Sequence, residues 1–366
     1  MTTIAARVVV TPRGSISPGA IEVDDGVITA VGPWSGPAPD RVLCPGFVDL
    51  QVNGHDDVDV SGAEGADWER LDQLLLSQGV TTWCPTLVTG PLEGYDAPLG
   101  RIAAAAQRPG PRPRIAGAHL EGPFLGALSG AHDPRWVRPI DLAWLGALPR
   151  VVALVTLGAE LSRVGEAIAL LASRGVLVAL GHSLATYEEA EAAIDAGARM
   201  ATHLFNAMTP VHHREPGLAV AALTDERIVP SVIADLVHVH PATLAKAMRA
   251  RAQAGIALVT DAVAWRAERV AASGIARRDD DAPRRANGTI AGSALTMDRA
   301  VSNVVRVAKI PLDQAVAAAS SVPARLLGDS QIGVIEPGAK ADLVALDLEL
   351  RAAATWIGGE LCWERR

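Results

Sequence analysis

The sequence has no block rich in lysine and arginine and carries a formal charge of −8, so nucleic acid is not expected as a main partner. No apolar run approaches the roughly 18 residues of a membrane span. The opening MTTIAARVVVTPRG also lacks the apolar core of a secretory signal, so neither membrane insertion nor secretion is expected. Cysteine is scarce: Cys44, Cys84 and Cys362 stand far apart without Cys-x-x-Cys spacing, which argues against a disulfide framework and fits a thiol-reducing cytoplasm. No Gly-x-Gly-x-x-Gly follows a strand-like run and no Walker loop occurs, so dinucleotide-binding and P-loop folds have no support.

The chain does have the means to build a large core. Hydrophobic residues make up 49% and charged residues 20% of its 366 positions, which excludes a disordered chain. That length suits one large domain of about 250 to 300 residues and a small one. The middle alternates apolar runs with alanine- and leucine-rich helical segments. Strands are expected at Phe47–Val52, Val80–Leu87, Arg114–Ala118, Val151–Thr156, Val176–Leu180, Arg199–Thr202, Ile228–Ala234 and Ile256–Thr260. Helices are expected at Trp68–Ser77, Pro98–Ala106, Gly165–Ser173, Tyr187–Ala196 and Pro241–Ala252. Eight such units favour a (β/α)8 barrel of the TIM type. Short strands broken by Gly and Pro occupy both ends of the chain: Ala5–Val10, Ala20–Val23 and Val27–Val31, then Ile332–Ile335, Asp342–Ala345, Thr355–Ile357 and Glu360–Trp363. The expected fold is therefore α/β, with the barrel over residues 46–329 and a small β-sandwich domain from residues 1–45 and 330–366. Residues 265–287 form a charge-rich insertion after the last barrel strand, expected as a solvated loop or a mobile lid.

The stretch from Gly181 to Gly217 organises the site. His182 directly follows the apolar run Val176–Leu180, and His203 ends the run Arg199–Thr202, with the helical segment between them. In such a βαβ unit the two strands end on the same side of the sheet, so both imidazoles face one crevice. At the remaining strand ends stand Gln51 and Asn53, Thr86, His119 and Glu121, Glu160, Asp235 and His238, and Asp261. Glu121, His182 and His203 supply the carboxylate and two neutral imidazoles that suit Zn²⁺ with an open position for water. Asp261 is placed to move a proton, unless it caps the helical turn after it. His238 is placed to hydrogen-bond a carbonyl oxygen, with Asp235 orienting its loop. Glu121 has the alternative of a turn residue in HLEGPF. His119 is expected to point away from Glu121, into the core or behind the site, and His212 and His213 to face solvent.

The ordered pieces PGFVDLQVNG (45–54), GVTTWCPTL (79–87), HLEGPF (119–124), GAH (130–132), GHSLAT (181–186), THLFNAM (202–208), REPG (214–217), VTDA (259–262), AGSALTM (291–297) and IGVIEPGAKADLVALD (332–347) resemble the N-acetylglucosamine-6-phosphate deacetylases of the amidohydrolase superfamily. The resemblance runs through most of the chain. It implies metal ligands at Glu121, His182 and His203, an acid/base at Asp261, and a carbonyl-polarising histidine at His238. Substrate contacts are implied at Ala131, His132, Asn206, Ala207, Arg214 and His238, with Arg214 acting across a homodimer. Superfamily members with His-x-His after the first strand hold a second metal there. Here Gln51 and Asn53 occupy those positions, so they are read as vestigial and one divalent ion, most simply Zn²⁺, is expected. The implied activity is hydrolysis of the acetamide of an N-acetylated amino-sugar 6-phosphate in amino-sugar catabolism, with the galacto epimer or another N-acetyl sugar as the alternative. A non-catalytic scaffold is the reading from another class. The chain departs from the family's usual Asp-Gly-x-His with Asp235-Leu236-Val237-His238, and from its Ala-Pro-Glu with Gly158-Ala159-Glu160, which bears on the sugar more than on the chemistry.

Overall fold

The computed structural model describes residues 1–277 and 282–365, except the side chain of Arg269. Eight parallel strands close into a barrel: Phe47–Val52, Val80–Val88, Ala118–Glu121, Val152–Leu157, Leu177–Leu180, Met200–Ala201, Val229–Val232 and Ala257–Leu258. Runs such as VALVTL are apolar on both faces because one face fills the barrel and the other meets the surrounding helices. Helices are cut by local chemistry. Tyr187–Ala196 starts at Thr186, whose hydroxyl and the Glu189 carboxylate form a reciprocal cap, and stops at Gly197 with φ 124°.

Two expectations change. The third barrel strand is Ala118–Glu121, and Arg114–Ile115 is a shorter piece on the same side of the Val80–Val88 strand, opposite Phe47–Val52, parted from it at Ala116 and Gly117. His119 and Glu121 thus lie in one strand, and residues two apart share a face, so His119 points into the barrel beneath Glu121 rather than away from it. Its Nε2 sits 2.8 Å from the Thr156 hydroxyl and its Nδ1 3.2 Å from the Leu50 carbonyl. Ile332–Ile335 is not a strand: Gly333 takes φ 72° to pack against the backbone of Ser320, a conformation that breaks extended pairing.

Strands from both chain ends meet in one six-stranded sheet, in the order Glu360–Glu364, Ala352–Ile357, Leu343–Leu346, Val42–Pro45, Val8–Thr11, Gly14–Ile16. A three-stranded sheet, Thr2–Ala6 with Gly19–Asp24 and Val27–Pro33, packs against it through Val9, Ile21, Ile28, Leu43 and Leu343. The insertion after the last barrel strand is less irregular than expected, with a helix at Glu268–Ala272 and an antiparallel pair, Ala276–Arg277 with Pro283–Arg284. Arg277 and Arg266 flank the Trp265 ring. Residues 278–281 of this segment lie outside the described residues, so the choice between loop and lid rests partly on chain the structure does not describe.

The barrel's seam bears on function. The first and last strands form no ladder and share one bridge, Val52 with Ala262. The Asp49 carboxylate stands in for the missing bonds. It accepts the Thr260 hydroxyl at 2.6 Å and the backbone N–H groups of Thr260 and Gln51 at 3.2 and 3.3 Å. Just above it, the Asp261 N–H donates to the Gln51 carbonyl at 3.0 Å.

Candidate active site

Six side chains singled out at the strand ends, Gln51, Asn53, Glu121, His182, His203 and Asp261, meet at the C-terminal mouth. Glu121 Oε1 lies 3.1 Å from His182 Nε2 and 2.9 Å from His203 Nε2, and the two imidazole nitrogens are 3.0 Å apart. His182, His203 and Asp261 all have positive φ, at 50°, 27° and 48°. Such conformations cost on the order of 1–3 kcal/mol each and persist where a surrounding structure holds them, as at working sites.

Proton placement in this cluster points to a cation. His182 Nδ1 is 3.1 Å from the Leu128 carbonyl, a pure acceptor, so Nδ1 carries the hydrogen. In the neutral ring Nε2 is then a lone pair, aimed at a carboxylate oxygen and at a second imidazole nitrogen. The His182 lone pair and the Glu121 oxygen face one another at 3.1 Å with no hydrogen between them, and a divalent ion there would turn the repulsion into ligation. Ligands about 2.1 Å from a tetrahedral ion stand about 3.4 Å apart, so these side chains would hold one after parting by a few tenths of an ångström. Burial pushes Glu121 up, but the imidazoles of His182, His203 and His132 around it outweigh burial and hold the carboxyl well below the usual range. Burial likewise pulls His203 down, and Glu121 more than reverses it.

Gln51 and Asn53, expected as vestigial positions, are both hydrogen-bonded to the site's carboxylates. Gln51 Nε2 donates to Glu121 Oε1 at 2.9 Å and to Asp261 Oδ1 at 3.1 Å, while its Oε1 accepts the Thr202 hydroxyl at 2.7 Å. Asn53 Nδ2 donates to Asp261 Oδ1 at 2.7 Å. Amide protons thus hold the two carboxylates together. Burial, and then the Glu121 charge, push Asp261 up to about 7, against the opposing pull of His203 and His238. His238 is positioned by Asp235, which accepts its Nδ1 hydrogen at 2.7 Å and the N–H groups of Val237 and His238 at 2.9 and 2.8 Å. Asp261 is therefore tied into this network rather than capping a helix, and Glu121 ends a strand rather than making a turn.

The His132 side chain is buried beside Glu121. Its Nδ1 accepts the Thr89 N–H at 3.3 Å, so its hydrogen is on Nε2, aimed at Glu121 Oε2 from 3.6 Å. Glu121, His132 and His182 offer ligand atoms within 4.8 Å of one another. The opposite tautomers separate them: Nε2 of His182 is a lone pair, and Nε2 of His132 is a donor. Burial and the neighbouring His182 push His132 down to about 3, so it stays neutral. Ala131 belongs to the same loop, where a Cβ on Gly130 would lie 3.3 Å from the His182 ring and 3.6 Å from the Ala207 side chain. Asn206 turns its amide back to the carbonyls of His203 and Leu204 at 3.1 and 3.2 Å, and Ala207 follows with φ 48°. Arg214 is not brought to this cluster. It is exposed on a loop, with Nη1 2.8 Å from His213 Nε2, and His212 and His213 face solvent as expected.

Sequence reading missed Asp49, although its signal was present: Asp49, Gln51 and Asn53 recur every second residue, a polar row on one face of an apolar strand. It also read Glu160 as a strand-end group. Glu160 instead clasps two loops behind His182, accepting from the N–H groups of Ala127 and Leu184 and from the Ser183 hydroxyl.

A profile of the amidohydrolase family matches residues 42–361. The chain is 37% identical to an N-acetylgalactosamine-6-phosphate deacetylase of Escherichia coli O157:H7, over 98% of each chain. It is 39% identical to an N-acetylglucosamine-6-phosphate deacetylase of Rattus norvegicus, over 88% of this chain and 84% of the relative. It superposes with a TM-score of 0.89, at 34% identity over 98% of each chain, on a mutant N-acetyl-D-glucosamine-6-phosphate deacetylase of Mycobacterium smegmatis in complex with N-acetyl-D-glucosamine 6-phosphate.

Proposed function

The chain belongs to the amidohydrolase family, and on that premise we propose that it hydrolyses the acetamide of N-acetyl-D-glucosamine 6-phosphate to D-glucosamine 6-phosphate and acetate. The observation that carries this reading is the convergence of Glu121, His182 and His203 within 3.1 Å, with Asp261 bridged to Glu121 through Gln51. The proposed cofactor is one Zn²⁺ per subunit on those three side chains, because the hydrogen-bonded amides of Gln51 and Asn53 leave no ligand pair for a second ion. When bound, such an ion polarises the acetyl carbonyl and makes a water acidic enough to attack at neutral pH.

The remaining steps belong to the chain's own groups. Asp261 accepts a proton from the attacking water and delivers it to the amine nitrogen as the C–N bond breaks, so one water is consumed and the amine leaves protonated. His238 donates from Nε2 to the oxygen on which negative charge develops, and the Asp235 carboxylate on its Nδ1 holds the ring in place. Gln51 and Asn53 hold Asp261 on the side of the cluster from which a proton moves. Ala131, His132, Asn206 and Ala207 line the sugar. Arg214, exposed in one chain, is assigned to the phosphate bound by the partner of a homodimer. The proposed location is the cytoplasm, and no helix among the described residues is long and apolar enough to cross a membrane. Residues 1–45 with 330–366 are proposed as the small domain, and 46–329 as the catalytic one.

A second reading, the galacto epimer, is favoured by the similarity to the Escherichia coli O157:H7 relative across nearly its whole length. Acetate release from both 6-phosphates and from unphosphorylated N-acetylglucosamine, with and without added Zn²⁺, tests the choice. Metal-dependent turnover of the phosphorylated gluco sugar is expected. Preference for the galacto epimer moves the substrate and keeps the chemistry, and no turnover with metal bound returns the scaffold reading.

A further inference from the structure

At the end of the barrel opposite the catalytic mouth, a cavity of about 480 Å³ is lined by Arg114, Arg150, Arg174, Asp329 and Ser330. It lies at the beginnings of strands: Val152 and Leu177, each the first residue of a barrel strand, also line it. Glu121 is seven residues beyond Arg114, roughly 20 Å away at about 3.3 Å per residue. Three guanidiniums share this space with one carboxylate, in a chain whose formal charge is −8.

Their hydrogen bonding is incomplete in a particular way. Arg114 Nη2 donates to Asp329 Oδ2 at 2.9 Å, but its Nε is buried with no acceptor. Arg174 is fixed by donating to the carbonyls of Gly146 and Leu148, which orient its plane without neutralising its charge. Arg150 has no carboxylate partner among the described residues and is exposed at the cavity's rim. Like charges held together cost energy, and a buried Nε–H without an acceptor costs more. An anion of charge near −2 in the cavity offsets the crowding of positive charge.

We propose that this cavity is a second ligand site, for a phosphate dianion either free or carried on a small polar metabolite. A planar guanidinium with two donors matches two phosphate oxygens, which is why arginine dominates such sites. The cavity holds more than a bare phosphate, and Ser330 at its edge offers a hydroxyl to a polyol. The site is separate from the acetamide chemistry and does not depend on the proposed substrate.

Calorimetric titration of the full-length, metal-loaded protein tests it, with inorganic phosphate and glucose 6-phosphate as separate probes. Wild type is compared with Arg150→Glu, which reverses an exposed charge, and with Arg114→Lys, which keeps the ion pair to Asp329 and removes the fork. The catalytic pocket is common to all three, so its contribution cancels. Both variants are expected to bind at least about tenfold more weakly at one site, with kcat/KM for deacetylation in phosphate-free buffer unchanged within about twofold. The probe that loses more affinity identifies the natural form, free or esterified. Identical isotherms for the wild type and both variants, with both probes, would overturn the proposal.

Discussion

Asp49 is a buried carboxylate that no step of the chemistry uses, and its replacement by asparagine tests the account of the barrel seam. Burial raises its carboxyl from 3.8 to about 7, against the opposing pull of its bonds to Thr260 and Gln51. Ionising it in place therefore costs about 4 kcal/mol at high pH. Because the folded value lies above the unfolded one, this group's contribution to stability is fully present below pH about 4 and is lost as pH rises through about 7. Asparagine keeps an oxygen for the two backbone N–H groups and turns its amide towards the Thr260 hydroxyl, at a cost of about 1 kcal/mol. Asp49→Asn is thus expected to be slightly less stable than wild type at pH 4 and more stable at pH 8, the difference swinging by up to about 4 kcal/mol. Thermal unfolding followed by circular dichroism at both pH values reads it, as a change of several degrees in the difference in Tm. Metal-linked effects are common to both proteins and cancel in that difference. A pH-independent difference, or one of opposite sign, would refute the reasoning. Asp49→Ala is the companion. It strands two buried N–H groups at about 1–3 kcal/mol each and loosens Asp261, so kcat should fall more than about tenfold with KM little changed.

Chelation of the metal should abolish acetate release and Zn²⁺ should restore it, while His182→Asn and His203→Asn should fail to retain the ion, read by metal analysis of purified protein. Asp261→Asn should lower kcat by about 10² to 10⁴ with KM nearly unchanged, and full activity in this variant would sink the proton-transfer assignment. His238→Asn should cost about 10² to 10³ in kcat, whereas Asp235→Asn should act through His238 and shift the pH profile. Arg214→Ala should raise KM for the 6-phosphate and leave the unphosphorylated sugar unaffected. Sedimentation should show a dimer, and a monomer that still binds the phosphate tightly would contradict the cross-subunit role.

The sequence by itself determined what depends on neighbours along the chain. The period of apolar residues places the strand Phe47–Val52 and the helix Tyr187–Ala196 at the bounds the structure has. Parallel connection then forces His182 and His203 to one mouth, because a βαβ unit has only one way to lay its strands side by side. Contacts between distant segments were decided by tertiary structure. The tautomer that leaves His182 Nε2 a lone pair depends on the carbonyl of Leu128, 54 positions away, and the seam depends on Asp49 meeting Thr260 across 211 positions. His119 was misplaced because its strand was ended at Ala118, one residue short of it, whereas the strand runs on through Glu121 and puts both side chains on one face. The arginine cavity joins three residues that share no pattern in the chain. Local propensity is written residue by residue, but burial, charge proximity and proton placement exist only once the barrel has closed.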